Sequence, residues 1–437
     1  MKINIRHLIN YDDVISYKIP EDNNEYIASI IGEPDLESES TLFFATNTID
    51  YKWYTSKTDR SILVRRLSKY KKNWIFVIED KELLSNNSNY YILVRSVNKF
   101  VEKITKKIIG TINKRIIAIT GSVGKSTLSK LLSLWIDRAQ LIDVKRLTPL
   151  NLADFIFNRV KTETAYIIAE VGLYYPGQIN QLADILSPYI GIITNIYDMH
   201  IGWNGIKTKS ALLSEKLNLL NKSKIRIISK EIFDKYEVSH LLNENDIVYN
   251  NFEYTNVVNS CNLLPKTRVS KNLLELIELA INNCNYTNDF CVEKISKIIK
   301  ENDNTLSLHK YMIDGTLLFV DSHSSIAGYF QAMSSHWYKS AMLVILSLNF
   351  PKEENIRTNI ELIKETFSHY TKICISNRLI RYFGKNNKRI QYINEKNLIS
   401  EIQNEKVVFL HDPKTITLSG KNKKKWEELT SEALGFK

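Results

Sequence analysis

Cysteine is scarce in this chain, and the few cysteines are not arranged for metal binding or cross-linking. The 437 residues include four of them, and none stands in C-x-x-C spacing. The common zinc-binding patterns are therefore excluded, and nothing suggests a disulfide framework. A reducing, cytoplasmic compartment fits this composition. The four positions are Cys261, Cys284, Cys291 and Cys374.

Long apolar runs are missing as well. The most apolar stretch, residues 341–348, is far too short to cross a bilayer. The N-terminal segment reaches Asp12 and Asp13 without the apolar stretch of a signal peptide. The sequence therefore predicts neither a membrane span nor a leader.

Lysine and arginine outnumber the acidic residues, 59 to 48, but the excess of positive charge is not concentrated in one segment. The net charge is +11, with lysines spread along the whole chain. Residues 421–425 form the one dense basic run, and such runs are usually solvated surface. We therefore predict no nucleic-acid partner, and a basic surface suits an anionic small-molecule substrate equally well.

The most informative stretch is residues 116–127, I-I-A-I-T-G-S-V-G-K-S-T, in which an apolar strand meets a glycine-rich turn and then a helix. Backbone N–H groups of such a turn cradle phosphate oxygens. Lys125 would reach the β- and γ-phosphates of ATP, and the Ser126 hydroxyl would ligate Mg²⁺. A standard Walker A motif needs glycine six residues before the lysine, where Ile119 stands, so the loop is a shortened variant. The predicted nucleotide-binding residues of the loop are Gly121, Ser122, Val123, Gly124, Lys125, Ser126 and Thr127.

The length and the order of apolar segments predict three α/β domains. Residues 1–112 resemble a small α/β unit, with strands at 41–45, 74–78 and 91–94 and a helix at 96–109. Residues 113–305 alternate strands and helices, which predicts a parallel sheet with helices on both faces. A third, C-terminal α/β domain follows over residues 306–437. Ligands of such sheets bind beyond the carboxyl ends of the strands.

Three further residues stand out, and two of them lie where those strand ends are predicted. Glu170 ends one strand, and a carboxylate beside a phosphate loop can hold Mg²⁺ directly or through water. His200 follows the next strand, which favours a metal ligand over a hydrogen-bonded loop histidine. Lys216 stands at the edge of an apolar helical stripe, where a lysine is ordinarily a solvated residue with a buried stem.

Together these segments resemble the Mur ligases, a family of ATP-dependent amide-forming enzymes. The loop T-G-S-V-G-K-S-T looks like their phosphate loop. The segment E-V-G-L-Y-Y-P-G-Q-I from Glu170, and the stretch T-N-I…H-I…G that contains His200, are similar to those of the members that add D-Ala-D-Ala to a muramyl tripeptide. The resemblance is strong over residues 115–220, moderate to 330 and vague elsewhere. It implies a three-domain architecture with a central P-loop domain and a C-terminal Rossmann-like domain.

The resemblance implies a role for each matched residue. Lys125 and Ser126 would hold the ATP phosphates and one Mg²⁺, which Glu170 would share. His200 would bind a second Mg²⁺. Lys216 would carry the family's carbamate, an anionic oxygen ligand for that second ion, which an unmodified ammonium could not be. Catalysis would thus rest on Lys125, His200 and Lys216.

The spacing of that lysine is one departure from the family. Lys216 stands two residues farther from the histidine than in typical members, so Lys207 and Lys209 remain alternatives. Two later positions are implied to meet ATP: Asn272, which could instead be a helix N-cap, and Asp321 in the segment D-S-H-S-S-I of the C-terminal domain. In that segment the family's tyrosine is His323 and its final proline is Ile326.

Other family features are absent, namely the N-terminal D-S-R of muramyl-nucleotide binding and the Gly-Arg that precedes the C-terminal strand. The implied activity is an ATP-dependent ligase that couples a small-molecule carboxylate, either free or nucleotide-linked, to an amine. The alternative is a non-catalytic Mur-like nucleotide-binding protein that regulates or scaffolds, which the C-terminal departures favour. An unrelated P-loop switch or kinase would have no reason to carry the E-V-G and T-N-I…H segments.

Overall fold

A computed structural model gives the fold of most of the first 236 residues and of the strands that follow. It describes the ranges 3–21, 25–54, 57–144, 146–197, 201–202, 204–236, 246–249, 271–284, 294, 297–298, 301, 309–313, 316–321, 342–345, 372–384, 390–393 and 407–411. Over these ranges no helix is both long and apolar enough to cross a membrane.

The N-terminal unit is a six-stranded sheet with a helix on each face. Its order is β1-β3-β4-β5-β6-β2, in which β3 to β6 are parallel and the two outer strands are antiparallel to their neighbours. The strands are β1 Ile3–Asn4, β2 Val14–Lys18, β3 Glu25–Ser29, β4 Thr41–Phe44, β5 Ile75–Ile78 and β6 Tyr90–Val94. The helices are α1 Ser61–Tyr70 and α2 Val97–Thr111, with 3₁₀ turns at Ile5–His7 and Lys81–Leu83. The three strands and the helix predicted from apolar periodicity are present within two residues of the expected ends.

The central unit is a parallel six-stranded sheet in the order β12-β11-β10-β7-β9-β8. The strands are β7 Arg115–Thr120, β8 Ala139–Leu141, β9 Tyr166–Glu170, β10 Ile190–Ile193, β11 Ile225–Ser229 and β12 Ile247–Tyr249. The helices are α3 Lys125–Trp135, α4 Pro149–Asp154, α5 Gln178–Leu186, α6 Lys209–Asn221, α7 Lys230–Tyr236 and α8 Lys271–Asn282, and a π-helical turn, Phe155–Arg159, continues α4.

Strand β7 shows why helices cover both faces of this sheet. Successive side chains of a strand point to opposite faces, and here the four side chains from Ile116 to Ile119 are apolar. Ile117 and Ile119 pack in one core with α3 and α8, whereas Ile116 and Ala118 pack in the other with α5 and α6. The carboxyl end of β7 therefore lies between two buried layers, at the centre of the sheet.

Helix α4 and its π-helical continuation join the first two units. Leu150 and Phe157 belong to the core of the N-terminal sheet, while Leu152 and Phe155 belong to that of the central sheet. The Leu150 N–H also donates to the hydroxyl of Tyr54, at 3.2 Å. This segment thus packs between the two sheets.

The described part of the C-terminal region forms a third six-stranded sheet, in the order β13-β14-β18-β15-β16-β17. Strand β13 is antiparallel to β14, and the remaining pairs are parallel. The strands are β13 His309–Ile313, β14 Thr316–Asp321, β15 Met342–Ile345, β16 Lys372–Ser376, β17 Ile390–Ile393 and β18 Val407–His411, with a 3₁₀ turn at Asn377–Leu379 and a short helix, α9 Ile380–Phe383.

Candidate active site

The turn between β7 and α3 has the backbone geometry of a phosphate-binding loop. Gly121 (φ +143°) and Gly124 (φ +83°) both have positive φ, which glycine adopts at no steric cost. A Cβ atom on Gly121 would lie 2.0 Å from the Thr194 Oγ1, so no side chain fits there. Helix α3 begins at Lys125, directly after the turn, and its first N–H groups have no partner within the helix. The shortened motif therefore keeps the glycines and the helix terminus that a phosphate cradle needs.

The polar side chains of the loop lie around this cradle. Lys125 donates from Nζ to the carbonyl oxygens of Gly121, at 3.1 Å, and Ser122, at 3.3 Å. The side chain of Ser126 is exposed to solvent at the start of α3. The buried hydroxyl of Thr120, immediately before the cradle, has no hydrogen-bond partner among the described residues. The site thus combines a cation and accessible donors with one unsatisfied hydroxyl.

Glu170 lies at the same edge of the sheet as the phosphate loop. It ends β9, is paired in register with Ile119 of β7, and is partly exposed. Because β7 and β9 are adjacent and parallel, both strands deliver their carboxyl ends to one edge. The structure therefore brings Glu170 beside the loop.

Two residues of the T-N-I segment hold the loop from the other side. Asn195 accepts the Val123 N–H at its Oδ1, at 2.9 Å, and donates from Nδ2 to the Val123 carbonyl, at 3.0 Å. Thr194 donates from Oγ1 to that same carbonyl, at 2.6 Å. The sequence offered these residues only as part of a resemblance, whereas the structure shows that they brace the phosphate loop.

Lys216 reaches the phosphate loop from helix α6. Its side chain is fully buried, and its Nζ donates to the Ser122 Oγ, at 3.1 Å. Burial, with a smaller contribution from the charge of Lys125, lowers the pKa of Lys216 well below the ordinary lysine value. The two alternatives are placed differently: Lys207 is exposed, and Lys209 is partly exposed at the first turn of α6.

The loop that follows Glu170 is tied to its neighbours on both sides. The buried Gln178 accepts the Tyr174 N–H, at 2.9 Å, and donates to the Leu147 carbonyl, at 3.4 Å. The Gly177 N–H donates to the Glu215 Oε1, at 2.6 Å. The E-V-G…G-Q-I segment thus fixes the loops after β8 and β9 relative to α6.

Three predicted site residues have no described side chain. His200 lies outside the described residues. Asn272 is in the first turn of α8, which begins at Lys271, so it is not the residue that precedes the helix. Asp321 ends β14 and is paired in register with His411.

Comparison with known proteins decides the family of the central unit. Residues 119–249 match the family model described as "Mur ligase middle domain". This segment is similar to a Mur ligase middle domain. The family that the loop, the E-V-G segment and the T-N-I segment predicted is thereby confirmed.

A curated relative supports the same assignment. The UDP-N-acetylmuramoyl-tripeptide–D-alanyl-D-alanine ligase of Rickettsia prowazekii is 29% identical over 127 residues. This similarity covers 29% of the present chain and 28% of the relative. The sequence match is therefore confined to less than a third of either protein.

Solved Mur ligase structures share the fold over most of the chain. A MurF structure from Acinetobacter baumannii covers 94% of this chain and 95% of its own, with a TM-score of 0.66 and 12% identity. A MurF ligase from Thermotoga maritima in complex with ADP covers 85% and 90%, with a TM-score of 0.59 and 14% identity. The predicted α/β Mur-ligase-like architecture, with a central P-loop sheet and a C-terminal, mostly parallel sheet, is confirmed.

Proposed function

We propose that this protein is an ATP-dependent ligase that activates a carboxylate as an acyl phosphate and couples it to an amine. The observation that carries the proposal is the fully buried Lys216 with its Nζ against Ser122 of the phosphate loop. Lys125 already supplies a cation at the cradle, so we assign the second, buried lysine a further task. The ligase names of the relatives support the same conclusion.

The residues present fit ATP and Mg²⁺. The cradle offers backbone donors and the Lys125 cation, and the unsatisfied Thr120 hydroxyl lies beside it. Among the described residues no three His, Cys, Asp or Glu side chains gather into an all-protein metal cage. Mg²⁺ is usually held by one or two carboxylates plus substrate phosphates, so Ser126 and Glu170 would hold one ion together with the nucleotide, and His200 and Lys216 a second.

The surroundings of Lys216 favour a neutral amine that reacts with CO₂. An ammonium has three N–H donors, and the described residues give the Lys216 Nζ a single acceptor, the Ser122 hydroxyl. An amine attacks CO₂ to form an N–C bond and releases one proton, which leaves a carbamate. Because only the neutral form is nucleophilic, a buried lysine is suited to this reaction.

In the reaction, a carboxylate oxygen attacks the γ-phosphorus of ATP and ADP leaves with the electrons of the broken P–O bond. The amine then attacks the acyl carbon, inorganic phosphate leaves, and the amine loses a proton. Lys125 and the loop N–H groups position the phosphates and offset their charge. Bound Mg²⁺ supplies further charge neutralisation at the phosphate oxygens. The Asn195–Val123 pair keeps the loop in place throughout.

The proposal assigns one task to each domain. Residues 1–112 bind the carboxylate substrate, and residues 113–305 bind ATP, with Asn272 among the nucleotide contacts. Residues 306–437 bring the amine and close over the nucleotide with Asp321. Because D-S-R is absent, the carboxylate belongs to a different peptide, amino acid or nucleotide-linked molecule. ATP use and the buried free thiols of Cys284 and Cys374 support a cytoplasmic enzyme.

Release of ADP and phosphate tests the proposal. Purified protein would be given Mg-ATP, bicarbonate and a panel of carboxylates, with and without amino acids or dipeptides, and Lys125→Ala would be the control. We expect release that requires both a carboxylate and an amine and that the control lacks. Tight ATP binding without turnover over the whole panel would instead favour the alternative, a regulatory or scaffold protein, to which the changed segment after Asp321 points.

A further inference from the structure

The hydroxyl of Ser122 lies at a junction of three chain segments. It accepts the Tyr197 N–H, at 2.9 Å, and the Lys216 Nζ donates to it, at 3.1 Å. It donates in turn to the Tyr197 carbonyl, at 3.3 Å. The side chain is buried, with 4% of its surface exposed. This serine is thus hydrogen-bonded to partners 75 and 94 positions away in the sequence.

These contacts use the whole bonding capacity of a hydroxyl. Such a group has one donor and two acceptor lone pairs. At Ser122 the two lone pairs accept hydrogen bonds from the Tyr197 N–H and the Lys216 Nζ. The O–H is therefore left to donate to the Tyr197 carbonyl. Alanine at this position would remove the contact of three groups in a buried region: the Tyr197 N–H, the Tyr197 carbonyl and the Lys216 Nζ. Threonine would keep the hydroxyl.

Each of the three segments carries part of the proposed reaction centre. Ser122 belongs to the phosphate cradle and lies three residues before Lys125. Tyr197 lies three residues before His200, and Lys216 lies on α6. One hydroxyl therefore joins the cradle to both segments that would hold the second Mg²⁺.

The contact with Lys216 is compatible with carbamate formation. A carbamate nitrogen keeps one N–H after the carboxyl group is added, and one N–H is all that the Ser122 Oγ needs to accept. The serine can therefore hold the nitrogen at the same place before and after modification, with the carboxyl group directed elsewhere.

We propose that Ser122 is a positioning residue that sets the Lys216 nitrogen and the segment leading to His200 relative to the phosphate cradle. The proposal rests on the ligase function proposed above. It assigns Ser122 a role in the second metal site, in addition to its place in the loop that binds nucleotide. Groups that orient metal ligands in this way typically contribute about 10- to 100-fold to metal affinity or activity.

Three measurements on the full-length protein test the proposal. Carbamate would be detected by ¹³C NMR after incubation with ¹³C-bicarbonate, Mn²⁺ binding to the ADP complex would be titrated by electron paramagnetic resonance, and ADP affinity would be measured by calorimetry. The variants are Ser122→Ala and Ser122→Thr. Ser223→Ala is the matched control, because that buried hydroxyl, two residues beyond the end of α6, donates to the nearby Leu219 carbonyl and not to the phosphate loop.

We expect Ser122→Ala to lose most of the carbamate signal and to bind the second Mn²⁺ about tenfold more weakly. ADP affinity should fall by less than the affinity for the second Mn²⁺, because Ser122 is one of several loop residues and the cradle amides and Lys125 remain. Ser122→Thr should restore both signals, and Ser223→Ala should match the wild type.

Two results would overturn the proposal. The first is a Ser122→Ala protein that keeps the wild-type carbamate signal and second Mn²⁺ affinity. The second is a parallel loss of ADP and Mn²⁺ binding that Ser122→Thr does not restore, since this would show only that the loop is damaged. A wild-type protein without any carbamate signal would contradict the proposed function itself, and that outcome is visible before any variant is made.

Discussion

The side-chain amide of Asn195 and the backbone of Val123 form a reciprocal pair of hydrogen bonds, 2.9 Å and 3.0 Å long. This pair joins the end of β10 to the phosphate loop, so the loop does not depend on its glycines alone for its shape. The same amide cannot be replaced by a carboxylate without loss, because a carboxylate has no donor for the Val123 carbonyl.

Replacement of Asn195 by alanine should weaken ATP binding strongly. The change leaves the Val123 N–H without its acceptor, and an unsatisfied buried donor costs about 1–3 kcal/mol. Calorimetric titration with a non-hydrolysable ATP analogue measures the effect. Asn283→Ala is the matched control, because the Asn283 amide, directly after the end of α8, donates to the Leu279 carbonyl four residues back. Equal affinities in the two variants would contradict the bracing role.

Gly121→Ala should abolish ATP binding while the protein stays folded. The new Cβ would overlap the Thr194 Oγ1, and φ of +143° is strained for alanine, so the loop must move. Gly110→Ala is the control, because its Cβ would meet nothing within 4 Å inside helix α2. That control should stabilise the protein by up to about 1 kcal/mol. Thermal unfolding and ATP titration of both proteins separate the two effects.

Lys216→Met should stabilise the protein and remove its activity. Burial lowers the pKa of Lys216, so the unfolded chain binds a proton that the folded protein has released. The free energy of unfolding of the wild type should therefore rise with pH between the lowered pKa of Lys216 and the ordinary lysine pKa of 10.5. The Lys216→Met protein should lack this dependence on pH. Unfolding would be followed against pH in CO₂-free buffer.

The matching activity assay separates the candidate lysines. Ligase turnover should fall by at least about 100-fold in Lys216→Met, and Lys207→Met should retain it because Lys207 is exposed. If Lys207→Met is the inactive variant, the carbamate assignment to Lys216 is wrong.

Tyr54→Phe should loosen the junction between the N-terminal and central sheets. The Tyr54 hydroxyl accepts the Leu150 N–H at the start of α4, and burial raises the pKa of this phenol. Its removal leaves that N–H unsatisfied, at a cost of about 1–2 kcal/mol in the free energy of unfolding. Tyr70→Phe changes a residue that is 71% exposed and should stay within about 0.5 kcal/mol of the wild type. Chemical denaturation distinguishes the two.

The local elements and the phosphate cradle could be predicted from sequence because their causes are local. Apolar runs of four to six residues correctly placed β4, β5, β7 and β11. The glycines and Lys125 identify the cradle through backbone requirements that any such loop shares. The position of Glu170 at the same edge of the sheet as the phosphate loop follows from the rule that parallel strands have their carboxyl ends at one edge. The strand order and the pairing of Ile119 with Glu170 were not predicted.

The contacts that connect distant segments could not be predicted in the same way. Nothing in the sequence near Asn195 shows that its amide matches the Val123 backbone, 72 positions away. The apolar surroundings of Lys216 fit a solvated lysine as well as a buried one until α6 is packed against the loop. Short edge strands such as β1 and β8 were also missed, because two or three residues carry no detectable period.

The transfer of oxygen from substrate to phosphate tests the ligase assignment most directly. Carboxylates labelled with ¹⁸O at both oxygens would be supplied with Mg-ATP, bicarbonate and an amine, and the released phosphate would be analysed by mass spectrometry. An acyl phosphate intermediate requires each phosphate to carry one ¹⁸O atom and the amide product to keep the other. Phosphate released without label would show that ATP is hydrolysed by water and would contradict the proposed ligase.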